Sequence, residues 1–200
     1  HRVYQESRRD YEVIETIALA VREAGIRRLL GNLDSHATVF NTLAHARNEV
    51  IECDGKPLWA EVPSAGYRVI DPDGAGELPD SIEPVTLREC DDGWVLANGL
   101  VELSVSSNGI IHSCRDLRTG RETLAGPANE FHLLRDYPNR WSAWDIEASA
   151  MEDFEMVAAD GCGSVEEQGP LRVILSFDRP FGVSRIRQRL ILCAGSARVD

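Results

Sequence analysis

The sequence predicts a mainly β protein, an antiparallel β-sandwich preceded by one long N-terminal helix. Two observations carry this: helical periodicity is confined to residues 3–30, and from Val39 to the end the pattern alternates apolar and polar. A third is the punctuation of the second part, where Gly and Pro turns separate many short runs and no further helical stretch intervenes.

In the helical part, Tyr4, Tyr11, Ala18 and Gly25 repeat every seven residues, and Ile14 and Val21 fall on the complementary heptad position. Val13, Ile17, Ala20 and Ala24 widen this seam into a face of the breadth a helix bundle uses. Gly31-Asn32 supplies the stop. Such a stripe cannot be buried against itself, so the helix needs partners, of which a second copy of the chain is one.

The β part starts with Val39-Phe40 and with Glu49 to Cys53, which turns at Asp54-Gly55 into Leu58 to Val62. Tyr67 to Ile70 follows Pro63. Residues 72–84 hold three prolines and two glycines and read as a surface linker. The expected organisation is thus a helix over 1–31, a small β segment over 38–71, the linker, and a sandwich domain over 85–200. Its strands are Val85 to Cys90, Trp94 to Ala97, Leu100 to Ser106 and Ile110 to Arg115, the last two joined at Asn108-Gly109. Phe154 to Ala158, Leu171 to Phe177 and Ser184 to Leu192 continue the rhythm. Ala197 to Asp200 begins a strand without a terminator, so the sandwich is expected to be incomplete at that end.

A net charge of −12 with scattered Lys and Arg argues against nucleic acid and against anionic membrane surfaces as partners. There is no apolar run of membrane-spanning length. Cys53, Cys90, Cys114, Cys162 and Cys193 are odd in number, widely spaced and without a C-x-x-C pair, which predicts reduced, buried thiols in a cytoplasmic protein. His36, His45, His112 and His132 lie far apart, so no metal site is expected within these residues. No G-x-S-x-G, G-x-G-x-x-G or G-x-x-x-x-G-K-[ST] pattern occurs, which leaves catalytic residues unassigned.

The stretch richest in ligand chemistry is Asp136-Tyr137-Pro138-Asn139-Arg140-Trp141-Ser142-Ala143-Trp144-Asp145, which sets two of the four tryptophans between carboxylates. An indole face covers the C–H face of a pyranose while an acid accepts hydrogen bonds from its hydroxyls. Packing at an interface or core is the other use of such tryptophans. Asp136, Asp145 and Glu147 could also supply an acid–base pair, although nearness in sequence does not make carboxyls face one another.

Several ordered motifs resemble the α-mannosidases of glycoside hydrolase family 38, in the cytosolic and bacterial branch. Val3-Tyr4 through Asp10-Tyr11 is similar to the opening of the last helix of that family's middle bundle. Val39-Phe40-Asn41-Thr42-Leu43 with Arg47 and Val50 resembles the entry to its β region, and Val62-Pro63-Ser64-Ala65-Gly66-Tyr67 the strand after it. Leu96-Ala97-Asn98-Gly99-Leu100 with Asn108-Gly109-Ile110, then Asp116 and Arg121-Glu122, resemble its hairpin and the "D...GRE" that follows. Asn129 and Asp136-Tyr137-Pro138 through Trp144-Asp145-Ile146 are similar to "N...D-x-P-x-x-W-x-AWD". Gly169-Pro170-Leu171-Arg172, Ser184-Arg185-Ile186 and Gln188 complete the series. Ala44-His45-Ala46 and Ala97 depart from the usual residues.

The resemblance implies a galactose-mutarotase-like supersandwich, preceded by the last helix of a helix bundle. It implies a retaining α-mannosidase acting on α-mannoside glycans, with a carboxylate nucleophile and a zinc ion. The family's nucleophile and zinc-ligand motifs find no match in this sequence, so these residues are expected to be a non-catalytic part of a longer zinc enzyme. Trp141, Trp144, Asp145 and Tyr67 are then the candidate substrate contacts. The alternative is a carbohydrate-binding sandwich without hydrolase activity of its own.

Overall fold

A computed structural model describes residues 2–31, 37–70, 78–141, 144 and 146–200. Helix α1 (Arg2–Leu30) ends at Gly31, whose φ of +62° and N–H bond to the Arg27 carbonyl at 3.0 Å form a left-handed cap. No residue of α1 is buried: Tyr4, Tyr11, Ile14, Ile17 and Val21 are all exposed. No described helix is long and apolar enough to cross a membrane.

Strands β1 (Ala37–Asn41), β2 (Arg47–Cys53), β3 (Lys56–Val62) and β4 (Gly66–Ile70) make two antiparallel pairs, β2 with β3 and β1 with β4. Asp54 and Gly55 both take positive φ, 49° and 77°, as a two-residue type I′ turn requires. Leu58, Ala60, Val62 and Ile70 form a small core with Val39 and Ile51. Asn41 fastens the loop beside it: its amide donates to the carbonyls of His45 and Pro63, and its oxygen accepts from the Leu43 N–H.

Of the expected surface linker, residues 72–77 lie outside the described ones. Leu78 and Ile82 depart from that expectation by packing against the larger core, because an apolar side chain in this stretch gains more by covering the sandwich than by facing water.

The larger core lies between two sheets. One has the order β5 (Thr86–Cys90), β6 (Gly93–Ala97), β7 (Val101–Ser106), β8 (Ile111–Asp116), β9 (Arg121–Glu122). A short pair, β10 (His132–Leu134) and β11 (Phe154–Met156), stands apart from it. The second large sheet is β12 (Ser164–Gln168), β13 (Arg172–Phe181), β14 (Ser184–Cys193). All pairings are antiparallel. Val101, Leu103 and Val105 on one sheet meet Val173, Leu175, Phe177, Leu190 and Leu192 on the other, each at most 5% exposed. This is the expected sandwich, and the alternation along β7 places it.

The structure corrects several finer expectations. Only Gly109 of Asn108-Gly109 has positive φ, and Gly109 N–H bonds the Ser106 carbonyl at 2.9 Å, so the turn is longer than the two-residue form. Its extra length appears as a register shift between Ser104 and Val105. Strands β9, β10 and β12 were not expected. Val199 makes only an isolated bridge to Leu192. Cys90 and Cys162 are exposed rather than buried: Cys90 ends an edge strand and Cys162 sits between two turn glycines. All five cysteines are unpaired.

Candidate functional site

Between β9 and β12 the chain leaves the sandwich as an arm, residues 129–157. Its root is closed by Val157 N–H donating to the Phe131 carbonyl at 2.8 Å. Above the root β10 and β11 pair, with the His132 ring stacked on Phe154 at 4.0 Å and Arg135 3.4 Å from Glu155. The tip carries the tryptophans. The Trp144 backbone N–H bonds the Trp141 carbonyl at 2.7 Å, which ties the two tryptophans together. Trp141 takes φ +60°, a conformation that strains a bulky residue and is kept where surroundings or function demand it.

Both indoles face water: Trp141 is 73% and Trp144 91% exposed, with Tyr137 at 83%. Neither indole therefore belongs to either of the two described cores. Glu147 is engaged by Asn139, whose backbone and side-chain N–H groups both donate to its Oε1, at 3.4 and 3.3 Å. This carboxylate therefore shapes the tip. Asp136 is exposed, and Asp145 lies outside the described residues. Tyr67 belongs to the β1–β4 pair, 41% exposed and packed against Phe40 with ring centroids 5.7 Å apart. Among the described residues no hydrogen bond joins that pair to the arm. The structure thus brings Trp141 and Trp144 together and leaves Tyr67 on a separate element.

Two exposed flat apolar faces can stack on a sugar ring. Among the described residues, no three His, Cys, Asp or Glu side chains converge on a point where they could ligate a metal. The zinc implied by the resemblance therefore finds no ligand set among them. A separate cleft of about 500 Å³, lined by Arg47, Glu49, Cys193, Arg198 and Asp200 among others, lies beside β2 and the end of β14, and its charges pair within it.

Sequence reasoning missed how the arm is held. Asn129 (φ +65°) donates to the Gly109 carbonyl at 2.6 Å and accepts from Gln188 Nε2 at 2.5 Å. Gln188 in turn accepts from Arg179. Asn129 and Gln188 both stand in the motif series, which is the signal that could have pointed to them.

The family description "Glycosyl hydrolases family 38 C-terminal domain" matches residues 96–200. Alpha-mannosidase 2C1 of Mus musculus is 29% identical over 195 residues, covering 89% of this chain. Alpha-mannosidase 2C1 of Homo sapiens is 30% identical over 174 residues, covering 78%. The chain spans 17% and 16% of the lengths of these two relatives.

Proposed function

Since the chain belongs to glycoside hydrolase family 38, we propose that it is a non-catalytic, β-rich C-terminal portion of a retaining, zinc-dependent α-mannosidase acting on terminal α-mannosyl residues. In this reading, its zinc and nucleophile come from residues beyond the described ones, and no chemical step is assigned to this chain. The arm's share is recognition. Trp141 and Trp144 cover apolar faces of the glycan, with Asp145 and Tyr67 as further contacts. The observation that supports this is the exposure of both indoles, 73% and 91%, beside a positive φ at Trp141. Five free thiols fit a reducing, cytoplasmic setting.

Exposure also separates function from stability. Replacing Trp144 by Ala at so open a position changes folding free energy by less than about 0.5 kcal/mol. In the full-length polypeptide, Trp141→Ala and Trp144→Ala are expected to lower kcat/KM for an aryl α-mannoside about tenfold, the equivalent of ~1.4 kcal/mol of transition-state binding. Unchanged kinetics in both variants would remove the contact role.

The second reading, a carbohydrate-binding sandwich, draws on the same indoles, which stand open in this chain alone. Titrating the 200-residue chain with mannose and manno-oligosaccharides tests it. A change in tryptophan fluorescence is its expected outcome, and a flat response contradicts it.

A further inference from the structure

Arg179 is the largest fully buried side chain, 1% exposed, and among the described residues no carboxylate pairs with it. Its guanidinium is met instead by neutral groups from separate stretches of chain. Nη2 donates to the Asn108 carbonyl at 3.0 Å, at the β7–β8 turn. Nη1 donates to the Val157 carbonyl at 3.3 Å, where the arm returns. Nε and Nη2 reach Gln188 Oε1 on β14 at 3.4 and 3.3 Å. The carbon of the guanidinium lies 4.7 Å from the centre of the Phe131 ring, where the arm departs.

Burial pushes this guanidinium below its ordinary pKa, and an unneutralised buried cation is an expensive way to fill a core. An apolar side chain would fill the space more cheaply. What only a planar fork supplies is several donors aimed at once at acceptors from different segments. One of those acceptors, the Val157 carbonyl, is the arm's returning leg, and the Phe131 ring under the guanidinium is its departing leg. Through Gln188 the tie extends to Asn129, the arm's first residue. Close packing guards it as well, since a Cβ on Gly109 would sit 2.7 Å from Arg179 Nη2.

We infer that Arg179, with Gln188 and Asn129, is a positioning residue: it clamps both legs of the arm's root to the sandwich and so sets where Trp141 and Trp144 stand. This rests on the proposal that those two indoles contact sugar.

The test uses the full-length polypeptide carrying Arg179→Lys, which keeps the charge and loses the fork. Asn129→Gly serves as the second variant, since it removes a tie while suiting the positive φ there. Hydrogen exchange followed by mass spectrometry reads the clamp, and kcat/KM on an aryl α-mannoside, taken well below the melting temperature, reads its consequence. Both variants are expected to speed exchange in β10, β11 and at Val157 about tenfold while β7 stays protected. They are expected to lower kcat/KM about tenfold, with no further loss from Arg179→Lys when Trp141 and Trp144 are both already Ala. A merely structural Arg179 would lower stability without that dependence on the indoles. Unchanged exchange in the arm overturns the inference whatever the kinetics show. An equal kinetic loss with and without the indoles overturns it too, because Arg179 then acts elsewhere. Full activity in the double tryptophan variant fails the sugar-contact proposal and the positioning role together, and that variant alone identifies this outcome.

Discussion

Asn98, 1% exposed, uses its side chain completely. Its amide donates to the carbonyls of Cys193 and Ser196 at 2.7 and 2.6 Å, and its oxygen accepts from Leu100 and Val101 N–H at 3.1 and 3.0 Å. One residue thereby holds the β6–β7 turn and stitches it to the end of β14 in the other sheet. Asn98→Ala leaves these backbone groups without partners and is expected to cost about 1–3 kcal/mol by urea denaturation. A loss no larger than a surface substitution would contradict the assignment. Glu122 makes a prediction in pH. Its carboxylate is held down to about 2, first by the Ser113 hydroxyl and then by the N–H groups of Cys114 and Leu124. A depressed folded-state pKa stabilises above the ordinary glutamate value of 4.5, and that contribution is lost as pH falls through about 2. The wild type should therefore exceed Glu122→Gln in stability at neutral pH, with the gap closing between those two values; a gap independent of pH would contradict this. Both residues stand in motifs visible in the sequence. The role of Asn98 across the two sheets was not legible, since Cys193 and Ser196 lie 95 and 98 positions away.

Among elements, those governed by local rules were the legible ones. Helix α1 follows from its period and its glycine stop, and the β2–β3 hairpin from Asp54-Gly55. The β1–β4 pair was half legible: both runs alternate, yet their pairing spans the intervening hairpin, which no local pattern announces. Strand β12 escaped notice because Val165 is its only apolar residue; the strand is placed by pairing to β13 and by Glu167, which binds Arg172 at 3.0 and 2.6 Å. Arg172 also meets Glu52 of β2 at 2.8 Å, so this buried cation, unlike Arg179, joins the two β regions through carboxylates. Glu167, foremost, and Glu52 raise its pKa above the ordinary arginine value. The arm carries the two indoles that stand between carboxylates in the sequence, but its root depends on contacts from three other stretches. The two indoles are visible in the sequence, whereas the side chains that hold the arm's root come from residues far from it along the chain.

For the whole molecule, the two cores meet at the β2–β3 pair, where Val50 packs against the larger core and Ile51 against the smaller. Strand β3 gives Leu58, Ala60 and Val62 to the smaller core and turns Trp59 the other way, so close to Gly195 that a Cβ there would lie 2.8 Å from the ring. Helix α1 contributes no buried residue, which leaves its apolar face uncovered. We propose that the 200-residue chain self-associates through this face. Light scattering should report more than the monomer mass of 22.2 kDa, and a clean monomer would contradict the proposal. In the proposed reading, this chain serves an α-mannosidase without performing its chemistry. Hydrolysis of p-nitrophenyl α-mannoside, with and without added zinc, should be compared between the 200-residue chain and a polypeptide extended to the length of its relatives. Turnover is expected only in the extended protein; turnover by the 200 residues alone would overturn that reading and place a catalytic centre within them.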